Sequence, residues 1–204
     1  MDLDLEPKPE NPAQKRKIAM ILAFVSAALI VATLFTHGWL RAGGGMDAGF
    51  GLMSVKGCHE GACSSVSNKE LIDGINKEVK RAKAMGYSDP SLEEKSPVFW
   101  LTGYATLGLG LLAVAGLVAA GVTLGQGKLM LRPVAPTSVA MVCLFLSLVT
   151  ACIFVATNPT RGGMSELGQM GVGWGFWIFG IGTVVGIVAV PMILKFKPVE
   201  PDHF

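Results

Sequence analysis

Cys58 and Cys63 are the residues best equipped for chemistry, and they stand close together with His59, Glu60, Gly61 and Ala62 between them. Three chemistries are open to such a pair. In an oxidising compartment it can form a disulfide, closing a small ring for about 2 kcal/mol. It can share a metal ion with His59 and His37, although the spacing matches no strong zinc pattern. As a redox dithiol it departs from the reactive C-x-x-C spacing, and a relay to a second outer cysteine pair is missing. The other cysteines, Cys143 and Cys152, lie inside an apolar run and fall on roughly opposite faces of a helix with about 3.6 residues per turn. They read as small packing residues. Neither a Ser/His/Asp set nor a metal-spaced histidine cluster appears, so the sequence points away from an enzyme and implies no cofactor.

The elements that position this pair follow from composition. Hydrophobic residues make up 51% of the 204 and charged residues only 16%, with a mean hydropathy of +0.52. Charge is segregated rather than scattered, which predicts an integral membrane protein with the lipid bilayer as its first partner. A net charge of +2 without a basic stripe gives no case for nucleic acid.

Along the chain, residues 1–17 form an acidic, proline-bearing tail closed by Lys15, Arg16 and Lys17. An uncharged run over 18–36 is long enough to span a bilayer. It is also longer than the apolar core of a cleaved signal peptide and lacks a small-x-small cleavage site. A loop over 37–97 follows. The later spans are predicted at 98–124, 137–156 and 171–194, joined by loops at 125–136 and 157–170, with a tail at 195–204. Ser96 and Pro97 suit the start of the second span. Gly125-Gln-Gly-Lys128 reads as a turn, because it lacks the full phosphate-loop spacing and follows no strand. Short flanks with Lys128, Arg132, Lys195 and Lys197 fall on the side of the first basic run. Both termini are therefore expected in the cytoplasm of a multi-pass cell-membrane protein. Trp39, Trp100, Trp174 and Trp177 all fall at the outer ends of spans, as an interfacial belt would place them.

The spans hold no ionisable residue in their interiors, which lowers the case for a coupled carrier. They do hold glycine at small-x-x-x-small spacings: Gly121 with Gly125, the set Gly171, Gly175, Gly182 and Gly186, and Gly116 with Ala120. These predict close helix packing within the bundle, with a dimerisation face as the alternative.

In the long loop, Phe50 to Val55 alternates like a two-faced strand, with Gly43, Gly44 and Gly45 supplying a turn before it. Ser67 and Glu70 form a capping box at the head of an amphipathic helix over 67–86, with Leu71, Ile72, Ile75, Val79 and Ala82 as its apolar stripe and Gly86 as its stop. Asp73 with Lys77 and Glu78 with Arg81 are expected surface pairs.

Trp39 just past the first span, then Gly51-Leu52-Met53, then Cys58 and Cys63, resembles the W-GLW-C-C signature of the claudin superfamily. Met53 stands where the family has its last tryptophan. The resemblance implies a left-handed bundle of four transmembrane helices carrying a small antiparallel β-sheet, with the two cysteines bonded. It implies structural motif residues. Trp39 would anchor the sheet to the bilayer surface, Gly51 would permit close packing, and Leu52 and Met53 would fill the membrane-facing side. The function expected is a structural, adhesion or auxiliary role, through a protein partner or self-association. A passive pore lined by Asp47, Lys56 and Glu60 is the alternative. A membrane thiol oxidoreductase is the remaining, weaker reading.

Overall fold

The computed structural model describes residues 12–41, 47–59, 62–87, 93–126, 134–159 and 171–195. Among these residues, four helices are long and apolar enough to cross a membrane: α1 (Pro12–Leu34), α3 (Val98–Gln126), α4 (Val134–Ala156) and α5 (Trp174–Leu194). Runs of apolar residues in lipid must satisfy every backbone group internally, and a helix does so within one segment. The chain is a multi-pass membrane protein built as a four-helix bundle. Its helices neighbour one another in the ring α1, α3, α4, α5 and back to α1.

The observed helices shift the expected boundaries. Helix α1 starts at Pro12 and carries Lys15, Arg16 and Lys17 in its own first turns. The Arg16 guanidinium donates through Nε and Nη2 to the Leu124 carbonyl near the end of α3, capping one of that helix's unpaired acceptors. The fourth span begins at Trp174, not at Gly171, which belongs to a short strand instead. Ser96 Oγ accepts from the Val98 N–H at 3.3 Å, placing the start of α3 where expected.

Small residues set the helix spacing. A Cβ on Gly186 of α5 would stand 2.6 Å from Ser26 Oγ and 2.9 Å from Leu144 Cδ1, and one on Gly182 would stand 3.0 Å from Leu29 Cβ. Ser26 also donates to the Gly182 carbonyl at 2.7 Å, a hydrogen bond across a fully buried interface. On the opposite side of the ring, a Cβ on Gly116 of α3 would lie 2.9 Å from the Ala140 Cβ of α4. The Thr106 and Thr150 hydroxyls bond across the same pair of helices at 2.8 Å.

One end of the bundle carries a five-stranded antiparallel sheet in the order β4-β3-β2-β1-β5. Its strands are β1 (Leu40–Arg41), β2 (Asp47–Phe50), β3 (Ser54–His59), β4 (Ala62–Ser67) and β5 (Gly171–Val172). The Phe50–Val55 stretch is therefore not one strand. Gly51 donates its N–H to the Ser54 carbonyl at 2.8 Å, so the chain reverses there and Phe50 pairs with Val55. Alternation alone does not distinguish a strand from a hairpin whose turn falls in its middle. The strand β5, opposite Leu40 and Arg41, brings the second loop into the sheet; two residues are too few to leave a periodic signal. The glycines at 43–45 lie outside the described residues, and of the expected turn at 125–128 Gly125 and Gln126 instead continue α3 while 127–128 lie outside the described residues.

Candidate functional site

The functional candidate is the sheet and the way it is locked onto the bundle. Trp39 is the centre of that lock. It is fully buried, with its ring 5.0 Å from that of Phe179, 6.2 Å from Phe154 and 6.3 Å from Phe176. Its indole Nε1 donates to the Thr33 carbonyl at 2.7 Å. Its backbone N–H donates to Phe50, and its carbonyl accepts from Gly173. One residue thus joins α1, β2, the approach to α5, and the ring cluster of α4 and α5. This corrects the expected role at the bilayer surface, because an indole packed among the rings of Phe154, Phe176 and Phe179 gains more from burial than from the interface. Trp174 and Trp177 remain more than half exposed and suit an interfacial belt.

The Gly51-Leu52-Met53 turn is the second contact. A Cβ on Gly51 would stand 2.8 Å from the Thr36 carbonyl, leaving room only for glycine. Leu52 is buried and its carbonyl lies so close to Gly103 of α3 that any Cβ there would collide with it. Met53 is half-buried, and its carbonyl accepts from the Asn68 N–H at 2.8 Å. Asn68 Nδ2 donates to both the Gly51 and Leu52 carbonyls at 3.0 Å, holding the turn from the side. Neither Asn68 nor Gly103 stood out in the sequence. An asparagine just inside a helix start is a faint clue, since this residue prefers to bond nearby backbone; one glycine among many in a span gives none.

The helix α2 (Asn68–Ala84) carries the expected capping box. Ser67 Oγ accepts from the Glu70 N–H at 3.1 Å and donates to its carboxylate at 2.8 Å, and the Ser67 N–H adds a bond at 3.2 Å. These bonds from Ser67, hydroxyl first, hold the Glu70 carboxyl below the usual glutamate range. Ile72 and Val79 are buried, and Gly86 stops the helix at φ 85°. Asp73 pairs with Lys69 at 3.0 Å, one turn earlier than the expected Lys77. Asn76 bonds the Lys95 backbone in both directions, at 3.0 and 2.6 Å, and ties the helix to the approach of α3.

Cys58 and Cys63 form a disulfide between directly opposed residues of β3 and β4, with Cα atoms 4.1 Å apart. Both sulfurs are consumed in that bond, so neither is a thiolate ligand. Cys143 is buried and Cys152 exposed on the bundle surface. Lys56 is exposed on β3; the Asp47 side chain and Glu60 fall outside the described residues.

Of the glycines expected to pack helices, Gly182 and Gly186 press on α1 as above, and a Cβ on Gly121 would stand 3.1 Å from the Phe24 ring. A Cβ on Gly125 would stand 3.2 Å from Met20 Sδ, and one on Gly175 would stand 3.0 Å from the Gly38 carbonyl. Gly171 does not pack a helix: it stands in β5, and a Cβ there would meet nothing within 4 Å. No protein-family model matches this chain, and no curated protein matches it.

Proposed function

We propose that this is a non-enzymatic, claudin-like structural or auxiliary membrane protein whose sheet docks a protein partner or a second copy. The observation that carries the reading is the open edge of β4. Among the described residues this strand ends the sheet, is exposed from Ala62 to Val66 and carries no charge or proline, the features that usually blunt an edge. The close Cα spacing of Cys58 and Cys63 marks a pair without ladder bonds between them. By alternation Ser65 also directs its N–H and C=O to the free edge, where an added strand would bond them. The W-GLx-C-C residues all serve to hold that edge rigid relative to the spans. A disulfide suits an oxidising space, so the sheet faces outward from the cell membrane, leaving both termini in the cytoplasm.

The test is Ser65→Pro in the full chain. Proline there removes only an edge N–H and is tolerated on an edge strand. Wild-type protein in mild detergent is expected in a larger complex that the variant loses while keeping its thermal stability. A wild-type chain that is monomeric and unpartnered in its native membrane ends the proposal.

A further inference from the structure

A hollow of about 340 Å³ opens on the sheet face turned away from the bundle core, among His37, Arg41, Lys56 and Trp174. The register explains how its cations gather. Arg41 stands opposite Gly49, and Gly49 opposite Lys56, so the two cationic residues flank one that has no side chain. Glycines let the segments that wall the hollow approach closely. A Cβ on Gly49 would stand 2.5 Å from the His37 carbonyl, and one on Gly38 2.5 Å from the Trp174 ring. A Cβ on Gly173 would collide with the Gly38 carbonyl. His37 Nε2 is held at 3.0 Å from Ser54 Oγ. Among the described residues, the sheet's one acidic position is Asp47, opposite Cys58.

The height of the hollow selects its occupant. Trp174 is the first residue of the α5 span, and it and Trp177 are 52% and 63% exposed, as indoles at a bilayer interface are. The Trp174 wall of the hollow therefore stands at the level of lipid headgroups. A planar guanidinium suits phosphate oxygens, and an ammonium adds a second charge. The N-terminal end of α5 contributes its partial positive charge to the same wall. We infer that this hollow binds the phosphodiester of a phospholipid headgroup, with Arg41 and Lys56 on the phosphate and Trp174 against the glycerol end of the chains. The inference uses a different face from the β4 edge and stands without it.

The test titrates the full-length protein in nonionic detergent with phosphatidylglycerol, with diacylglycerol and with inorganic phosphate, counting retained molecules by native mass spectrometry. Phosphatidylglycerol is expected to be retained and the other two lost. Arg41→Gln with Lys56→Gln weakens retention about tenfold or more, while Lys77→Gln with Arg81→Gln on α2 leaves it unchanged. In unaltered protein, phosphatidylglycerol slows acylation of Lys56 and diacylglycerol does not. Equal retention by both variants, equal binding of inorganic phosphate, or Lys56 acylation indifferent to phosphatidylglycerol overturns the inference.

Discussion

The Trp39 indole N–H donates to the Thr33 carbonyl, so the residue just beyond the first span bonds back into that span's last turn. The same carbonyl, at the end of the helix, also accepts from the Thr36 N–H at 3.3 Å and the Thr36 hydroxyl at 3.0 Å, so the indole shares an acceptor and does not cap an orphan one. Trp39→Phe keeps much of the ring contact with Phe179 and loses this bond, for an expected loss of about 1–2 kcal/mol. Trp39→Ala opens a cavity among three aromatic rings and is expected to lose about 3–5 kcal/mol. Denaturant unfolding in a fixed detergent, read by Cys58–Cys63 accessibility to reductant, checks both. Equal stability of the Ala and Phe variants contradicts this account of Trp39.

Gly103 and Gly108 share α3 and differ in what they face. Gly103 lies against the Leu52 carbonyl, whereas a Cβ on Gly108 meets nothing within 4 Å. Gly103→Ala must push the Gly51–Met53 turn off the bundle, so hydrogen exchange in that turn is expected to rise and thermal stability to drop. Gly108→Ala removes a poor helix former and is expected to be neutral or mildly stabilising, by up to about 1 kcal/mol. Matching behaviour of the two variants would show that the turn does not dock there.

The contrast between these glycines shows what the sequence made legible. Four spans announce themselves because lipid imposes length and apolarity on a continuous stretch. The helix over 68–84 announces itself through a local capping box and a single apolar stripe. Trp39 gave no such local signal: whether a tryptophan at a span's end faces lipid or its own bundle depends on Phe154 and Phe179, far along the chain. The strand over 171–172 and the Leu52–Gly103 contact are likewise long-range pairings, invisible to periodicity. The sequence drew attention to the motif residues, but their partners are set by topology.

The Cys58–Cys63 bond joins residues already opposed in a hydrogen-bonded hairpin. Reduction is expected to remove about 2 kcal/mol and to loosen β4 without unfolding the bundle. A structural bond of this kind should resist mild reductant. Rapid exchange at low dithiothreitol, with turnover of a thiol substrate, would instead favour the oxidoreductase reading.

Glu70 accepts from Ser67 as a carboxylate, and its folded pKa is lowered accordingly. A lowered carboxyl stabilises the folded helix start above the ordinary glutamate range. That contribution fades as pH falls through the lowered folded value. The Ser67 amide shift in NMR should titrate with a midpoint below the usual glutamate pKa, and Glu70→Gln should flatten the curve. A midpoint at or above the usual value would show that the capping box does not hold the carboxylate in solution.

Gly186 and Gly180 lie on different sides of α5. The first is buried against Ser26 and Leu144, while a Cβ on the second meets nothing within 4 Å. If the glycine face of α5 serves the bundle itself, Gly186→Leu must separate α1 from α5 and unfold the monomer, whereas Gly180→Leu leaves it intact. Ser26→Ala, which removes the bond to the Gly182 carbonyl, should cost about 0.6 kcal/mol, the size typical of hydrogen bonds between membrane helices. Unfolding by sodium dodecyl sulfate, followed alongside oligomer size, separates the two roles. A Gly186→Leu chain that stays folded and merely dissociates from a partner would move this face from the bundle's interior to a protein interface.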